Sequence, residues 1–522
     1  MTNWIDAGAR ADLAAKGRRV LKAGTKQILL IADGDKLFAC NNRCPHEGYP
    51  LNEGSLGAAC TLTCNWHNWK FNLESGETIV GGDRLRRYPV EERNGRIYID
   101  IADAPAAERQ ARALANLLEA VPDNDYDRMA REVARFIKAD GDPLDPLRHM
   151  IHARAAHFEF GMTHAFAAAP DWLGLHESAK NEQQRLTALV EPIAHIVWDT
   201  LRQPEFPYTG DVTPWNADAF VAAIEAENEQ AAISMLNDAL AHGPQLASAV
   251  KAALARAALA HYQDFGHSAI YTRKAFELIA KLGWSVAAPV LKSLTRSIIY
   301  ATREDRIPEF RHYPKALARW PAPAKAAAPG DLVGLSVNQT LERTLTLPGD
   351  EESKYRLLLE ASAIAMLRFD TSVDRHTDKP VSHNVRWLDF THALTFAHAA
   401  RELCTENPSL WPQALLQMAC FLGRNTPFIN GEVDQAWTVT DPQAFIAREQ
   451  DALYDHGVRE PIYPCHHVKT LRAVAEEVAW AGDGSLSRTM LAATNRFLHS
   501  PIKYHHALRS AHQALSFVEA EG

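Results

Sequence analysis

Two textures of hydrophobic patterning divide the chain. Residues 27–40, QILLIADGDKLFAC, hold two short apolar runs around Asp33-Gly34-Asp35, a hairpin signature. WKFNLESGETIV turns at Glu74-Ser75-Gly76, and YPVEERNGRIYIDI alternates on either side of Asn94-Gly95. These segments predict a small all-β domain over residues 1–103. From about Ala104 the period changes. AERQARALANLLEAV, VKAALARAALAHY, YRLLLEASAIAML and VKTLRAVAEEVAWA space their apolar residues by three and four, as amphipathic helices do. The expected fold class is therefore multidomain: a small all-β domain, then a large, mainly α-helical domain over 104–522 with a proline-rich connection near 308–329. No fixed-period repeat is evident.

Composition narrows the function classes. Hydrophobic residues make up 47% and charged residues 23%, as in ordinary packed proteins, so disorder is not expected. A net charge of -9 offers no basic footprint for phosphates or anionic lipid, so neither nucleic acid nor membrane is expected as a partner. The opening MTNWIDAGARADLAAKGRRV lacks the apolar core of a secretory signal, and no run of about 18 apolar residues follows. Seven cysteines are too few and too odd in number for a disulfide framework. A cytoplasmic location is expected.

Two of those cysteines belong to a motif. Cys44-Pro45-His46 is followed, 17 residues later, by Cys64-Asn65-Trp66-His67. A Rieske centre needs two thiolates on one iron and two imidazoles on the other, and two loops that each deliver one of each supply that set. A Cys2His2 zinc site accepts the same ligands, though the spacing within each loop weighs against it. The surrounding residues, Cys44-Pro45-His46-Glu47-Gly48-Tyr49-Pro50-Leu51, Trp69-Lys70-Phe71, Gly76 and Tyr88-Pro89-Val90, closely resemble the Rieske family. That resemblance implies a [2Fe–2S] cluster on Cys44, His46, Cys64 and His67.

Departures from the family pattern carry information. Tyr49 and Trp66 stand where high-potential members place a disulfide, and Trp69 and Phe71 replace their hydroxyl donors to the cluster. Fewer hydrogen bonds to sulfur predict a potential near the low end of the Rieske range, around −150 mV, the ferredoxin and oxygenase type. Asn68 replaces a usual glycine and Asn65 a usual proline, changes expected to reshape the loop around His67. Cys40 and Cys60 read as buried small hydrophobes.

Outside these loops lie 21 of the 23 histidines, several of them grouped. His149 and His152 are three apart, with His157 beyond. His261, Asp264 and His267 form a second group, His383, Asp389, His392 and His398 a third, and His466 and His467 a fourth. Metal sites in helical bundles draw inward side chains from several helices, and neutral imidazole suits non-haem iron. The candidate ligands of a second metal site are thus His149, His152, His267, His383, His392, His398, His466 and His467. Each taken alone is more ordinarily a hydrogen-bonded histidine. Asp389-Phe390-Thr391-His392 with His398 imitates the iron motif of ring-hydroxylating oxygenases, but its place on a helical segment far past the cluster marks it as coincidence. Glu309-x-x-His312, between Pro308 and Pro314, is poorly placed for a carboxylate-rich di-iron centre.

Gly266-His267-Ser268-Ala269-Ile270, His383 with Phe390-Thr391-His392-Ala393-Leu394-Thr395, and His466-His467-Val468-Lys469 resemble short motifs of the questin oxidase-like family across about 140–490. That family is similar to fungal enzymes that open an anthraquinone ring in a Baeyer–Villiger-like oxidation. The resemblance implies functional roles for His267, His392 and His466, with Lys469 nearby. Its usual members lack a fused Rieske domain.

The expected activity is an oxidoreductase, a monooxygenase in which the cluster passes electrons to a histidine-bound non-haem iron that activates O2 against a hydrophobic or aromatic small molecule. No Gly-x-Gly-x-x-Gly nucleotide fingerprint is evident, so electrons are expected from an external NAD(P)H-dependent reductase or ferredoxin. Two alternatives stand beside it: an electron-transfer or redox-sensing module fused to a helical ligand-binding domain, and metal-free histidine acid–base oxidation of a phenol or quinone. Trp172, Trp198, Trp387 and Tyr271 are candidates for an aromatic pocket, although such residues ordinarily serve the core.

Overall fold

The computed structural model describes residues 2–262, 264–431 and 433–521. The chain divides into two units, Met1–Pro143 and Leu144–Gly522.

The first unit is built on β1 (Trp4–Ala9), β2 (Arg18–Ala23), β3 (Lys26–Asp33), β4 (Lys36–Asn41), β5 (Ser55–Gly57), β6 (Thr61–Thr63), β7 (Lys70–Asn72), β8 (Thr78–Val80), β9 (Arg87–Tyr88), β10 (Val90–Arg93) and β11 (Arg96–Asp100). They form three sheets, ordered β1-β11-β10, β2-β3-β4-β9 and β5-β6-β7-β8. The run Ile28-Leu29-Leu30-Ile31 is continuous rather than alternating because β3 is buried on both faces. Leu29 and Ile31 pack with Phe38, Cys44 and Leu51, while Ile28 and Leu30 pack with Tyr88, Ile97 and Ile99. Each such side chain contributes about 1.5–3 kcal/mol of burial. The Asn94-Gly95 turn has φ of +50° and +74° and closes the β10–β11 pair at Arg93 and Arg96, the primed-turn geometry that these residue types favour.

The helix Arg10–Lys16 joins β1 to β2, and two further helices, Ala106–Glu119 and Tyr126–Ile137, complete this unit. Asp125 caps the second by accepting from the Arg128 N–H. Its face carries Arg128, Arg131 and Arg135, which meet the buried carboxylate of Asp83 at 2.8, 3.1 and 3.7 Å.

The second unit is helical, with no strand among the described residues. Helix Trp387–Glu406 is buried on nearly every side, with its polar groups His398, Arg401 and Asp389 ion-paired. Helices His267–Leu282 and Ile462–Ala481 pack beside it, and His164–Ser178 packs against those two. The proline-rich stretch 308–329 forms short turns and the five-residue helix Tyr313–Leu317, then runs without helix or strand to Ala328. Among the described residues no helix is long and apolar enough to cross a membrane.

Candidate functional site

Two loops of the first unit bring the motif residues together. In the loop after β4 the Cys44 N–H donates to Tyr49 O and the Gly48 N–H donates back to Cys44 O, at 2.8 and 2.9 Å. The loop after β6 repeats this pattern, with the Cys64 N–H on Trp69 O and the Asn68 N–H on Cys64 O at the same distances. The fourth residue after each cysteine has a left-handed backbone, Gly48 at φ +76° and Asn68 at φ +60°. Asparagine tolerates this region better than other non-glycine residues, so Asn68 preserves the turn in glycine's place. Asn65, in place of proline, cross-links the loops by donating to Glu53 O and accepting from the Ser55 hydroxyl, both at 2.9 Å.

The two cysteines are buried and the two histidines reach the surface. Burial, with the Cys64 thiol alongside, pushes the Cys44 thiol up to about 11, although backbone N–H groups of His46 and Glu47 favour its thiolate. His46 Nδ1 and His67 Nδ1 lie 3.1 Å apart. Imidazoles sharing one first-row metal at about 2.0–2.1 Å sit about 3.4 Å apart in a tetrahedron, so a metal fits between them with little adjustment. Trp69 stacks on His46 with centroids 4.5 Å apart and an interplanar angle of 13°. The opposite side of the indole presses on Gly81, where a Cβ would come within 2.3 Å of the ring. This donor set, buried thiols behind and imidazoles in front, fits a [2Fe–2S] cluster held by Cys44, His46, Cys64 and His67.

The second unit holds another convergence. His164 and His267 are the first residues of their helices, and His392 and His466 lie within theirs. His267 Nε2 stands 3.1 Å from His164 Nε2 and 2.9 Å from His392 Nε2, which is 3.2 Å from His466 Nε2. His164 and His466 complete the ring, with centroids 4.6 Å apart.

Hydrogen bonds on the far sides of these rings fix where their protons are. His466 Nδ1 lies 2.6 Å from Ile462 O and His267 Nδ1 3.1 Å from Asp264 Oδ2, and both oxygens only accept. The Leu388 backbone carbonyl takes the corresponding proton of His392. In rings so protonated on Nδ1 alone, Nε2 is a lone pair, and such lone pairs would face each other across 2.9 and 3.2 Å. Such contacts suit a shared cation. A proton is disfavoured, because burial, reinforced by Lys469 and the neighbouring imidazoles, holds His164, His392 and His466 well below the usual histidine range. A metal ion satisfies the arrangement, and His164, His392 and His466 offer ligand atoms within 4.8 Å of one another.

His164 and His267 also face a cavity of about 470 Å³. Phe158, Phe160, Met162 and Tyr300 form its apolar lining, and Asp199, Asp264 and Tyr271 its polar lining. Tyr271 Oη is 3.1 Å from His164 Nδ1. Lys469 is buried, one turn beyond His466, and its Nζ has no hydrogen-bond partner among the described residues. Burial lowers its proton affinity.

Of the residues singled out in the sequence, His267, His392 and His466 converge. His149 lies on helix Asp145–Arg154 and His152 on its exposed side, and among the described residues neither has a contact with the four converging histidines. His383 packs on Phe428 and His467 on Phe497. His398 is bound by carboxylates, Glu477 at 2.6 Å and Glu476 at 2.9 Å, so it does not join His392. Asp389 accepts from the Arg386 N–H at the start of its helix and is ion-paired by Arg424. Trp172 packs near His456 and Trp387 near Phe369, and Trp198 is partly exposed; among the four aromatic candidates Tyr271 lines the cavity. His164 was not anticipated. Its signal is slight: Thr163 caps a helix that continues as the apolar AFAAAP, leaving one histidine at its head.

Residues 3–88 match the Rieske [2Fe-2S] domain. The ferredoxin subunit of the 3-phenylpropionate/cinnamic acid dioxygenase of Escherichia coli is 34% identical over 79 residues, 15% of this chain and 74% of that protein. The chain belongs to the Rieske [2Fe–2S] family.

The ferredoxin component of an alkene monooxygenase system of Xanthobacter autotrophicus is 29% identical over 103 residues, covering 20% of this chain and 84% of that protein. The terminal oxygenase component of a Sphingomonas carbazole 1,9a-dioxygenase is 25% identical over 112 residues, 19% of this chain and 30% of that one. The Rieske domain is thus similar both to ferredoxin components and to part of a terminal oxygenase component. Beside the motif residues, Trp69 lies against His46 and Phe71 in the core.

Proposed function

We propose that this protein is a Rieske-dependent oxygenase in which His164, His267, His392 and His466 bind a metal ion, iron by preference, beside a substrate cavity. The carrying observation is the set of Nε2 lone pairs facing one another at 2.9 and 3.2 Å. When bound, the cluster exchanges single electrons and imidazole-held iron is a centre suited to dioxygen chemistry. Relatives that serve as ferredoxin components of monooxygenase and dioxygenase systems support an oxidoreductase fed by an external NAD(P)H-dependent reductase or ferredoxin.

The chain's own residues then have separable tasks. Cys44 and Cys64 give up their thiol protons to hold the cluster, and Trp69 orients His46. Ile462, Leu388 and Asp264 each keep a proton on Nδ1 of one histidine, so Nε2 stays free to ligate. Tyr271, buried and held as the neutral phenol, offers its oxygen to His164 Nδ1 and its own O–H to the cavity. Phe158, Phe160, Met162 and Tyr300 suit a hydrophobic or aromatic small molecule. Lys469, uncommitted beside the imidazoles, is placed to hold an anionic oxygen. The questin oxidase-like motifs, which contain His267, His392 and His466, point to the same class of oxidation.

The test is iron and acid-labile sulfide per chain after anaerobic purification. Iron near three for two sulfides supports the reading. Equal iron and sulfide, with no other metal, would leave acid–base chemistry by the histidines or plain ligand binding as the better account.

A further inference from the structure

Resting on the reading of the four histidines as a metal site, we infer that Asp264 is its positioning residue, fixing His267 and supplying the negative charge that balances the ion. Four neutral imidazoles bring no charge of their own, and the ammonium of Lys469 lies close by. The Nδ1 partners of the other three rings are the carbonyls of Ile462 and Leu388 and the hydroxyl of Tyr271, all uncharged. Asp264, 3.1 Å from His267 Nδ1, is the carboxylate in this set. A carboxylate behind a ligating imidazole sets the tautomer, orients the ring and raises its donor strength.

The backbone is arranged to deliver this contact. Asp264, Phe265 and Gly266 have φ of +40°, +53° and +77°, three successive left-handed residues of which two are not glycine. Such a turn persists only where its surroundings over-determine it. Here the Asp264 N–H donates to Thr302 O at 2.9 Å, and the Arg424 guanidinium covers the Phe265 ring at 4.4 Å. Gly266 lies so close to Phe396 that a Cβ would reach within 2.5 Å of its ring. Phe396 is one turn beyond His392 on the same helix, so the turn that aims His267 is seated against the element that carries His392. The Asp264 side chain is 47% exposed. Its replacement therefore perturbs the fold little, and asparagine suits its left-handed backbone.

The experiment compares the full-length, cluster-loaded chain with Asp264→Asn, Asp264→Ala and Asp264→Glu. Each is loaded with Fe(II) under anaerobic conditions and challenged with graded chelator, reading iron against acid-labile sulfide, with the visible spectrum of the cluster as internal control. Asp264→Asn keeps an acceptor for Nδ1 and removes only the charge. It should release the additional iron at 10- to 100-fold lower chelator, Asp264→Ala should release it at least as readily, and Asp264→Glu should recover part of the affinity. Retention in Asp264→Asn within twofold of the wild type overturns the charge-balancing role while leaving the four-histidine site standing. Absence of any iron beyond the cluster in the wild type overturns the site itself.

Discussion

Replacing His392 by alanine tests the helical site most directly, because His392 Nε2 contacts both His267 and His466, at 2.9 and 3.2 Å. A four-ligand structural zinc site is worth about 10–16 kcal/mol, or about 2.5–4 kcal/mol per ligand. At about 1.4 kcal/mol per decade, loss of one imidazole weakens binding by about two to three orders of magnitude. The effect is expected at the upper end, since the substitution removes the member bridging His267 and His466. After dialysis against a moderate chelator, the wild type should hold about three metal ions for two sulfides, two of them in the cluster. H392A should fall to about two with sulfide unchanged. The cluster spectrum should not change, because its four ligands belong to the first unit. Wild-type metal content in H392A would refute the reasoning, since no arrangement of the remaining rings recreates its contacts with both His267 and His466.

Three further outcomes follow from the same structure. His164, His392 and His466 bind protons less readily in the fold than the ordinary value of 6.5, so unfolding takes up protons as pH falls below about 6.5. Stability of the metal-free helical unit is therefore full above that pH and declines below it, by up to about 1.4 kcal/mol per pH unit for each histidine. His261, raised by Glu304 and Glu225 against its burial, opposes this, while His195 and His467, lowered by burial, add to it; calorimetry between pH 8 and 5 should show a falling midpoint, and a flat one would contradict neutral buried histidines. Cys64→Ser should abolish the reduced-cluster electron paramagnetic resonance signal yet leave about one metal ion per chain, and loss of both metals together would mean the two sites are not separate. Asp83→Ala should destabilise the first unit by about 3 kcal/mol, the low end for a broken buried pair, because Arg128 keeps Glu119 at 2.9 Å and the partly exposed Arg131 and Arg135 can turn to solvent. Denaturant unfolding of the wild type and the variant reads this directly, and a change under about 0.5 kcal/mol would show the three-arginine contact to be dispensable.

The cluster ligands were legible in the sequence because their geometry is local. The paired ligands lie two and three positions apart within each loop, and the repeated backbone pattern at Cys44 and Cys64 turns that spacing directly into position. The change from alternating to three-and-four periodicity likewise reveals a β part followed by a helical one, since burial on one face imposes the period. The second site obeys a different logic. His164, His267, His392 and His466 sit on four helices separated by 74 to 125 residues, and no local rule says which faces of those helices meet. Sequence grouping put His398 beside His392, but on the folded helix Glu476 and Glu477 claim it. It also left out His164, a lone histidine at a helix start, which tertiary packing alone brings within 3.1 Å of His267. Asp264 shows both sides: the sequence placed it three residues before His267, and only the left-handed turn, wedged against Phe396, makes those two side chains face each other. Short spacings within a chain determine local ligand pairs, whereas the meeting of distant helices is decided by packing the whole hydrophobic core at once.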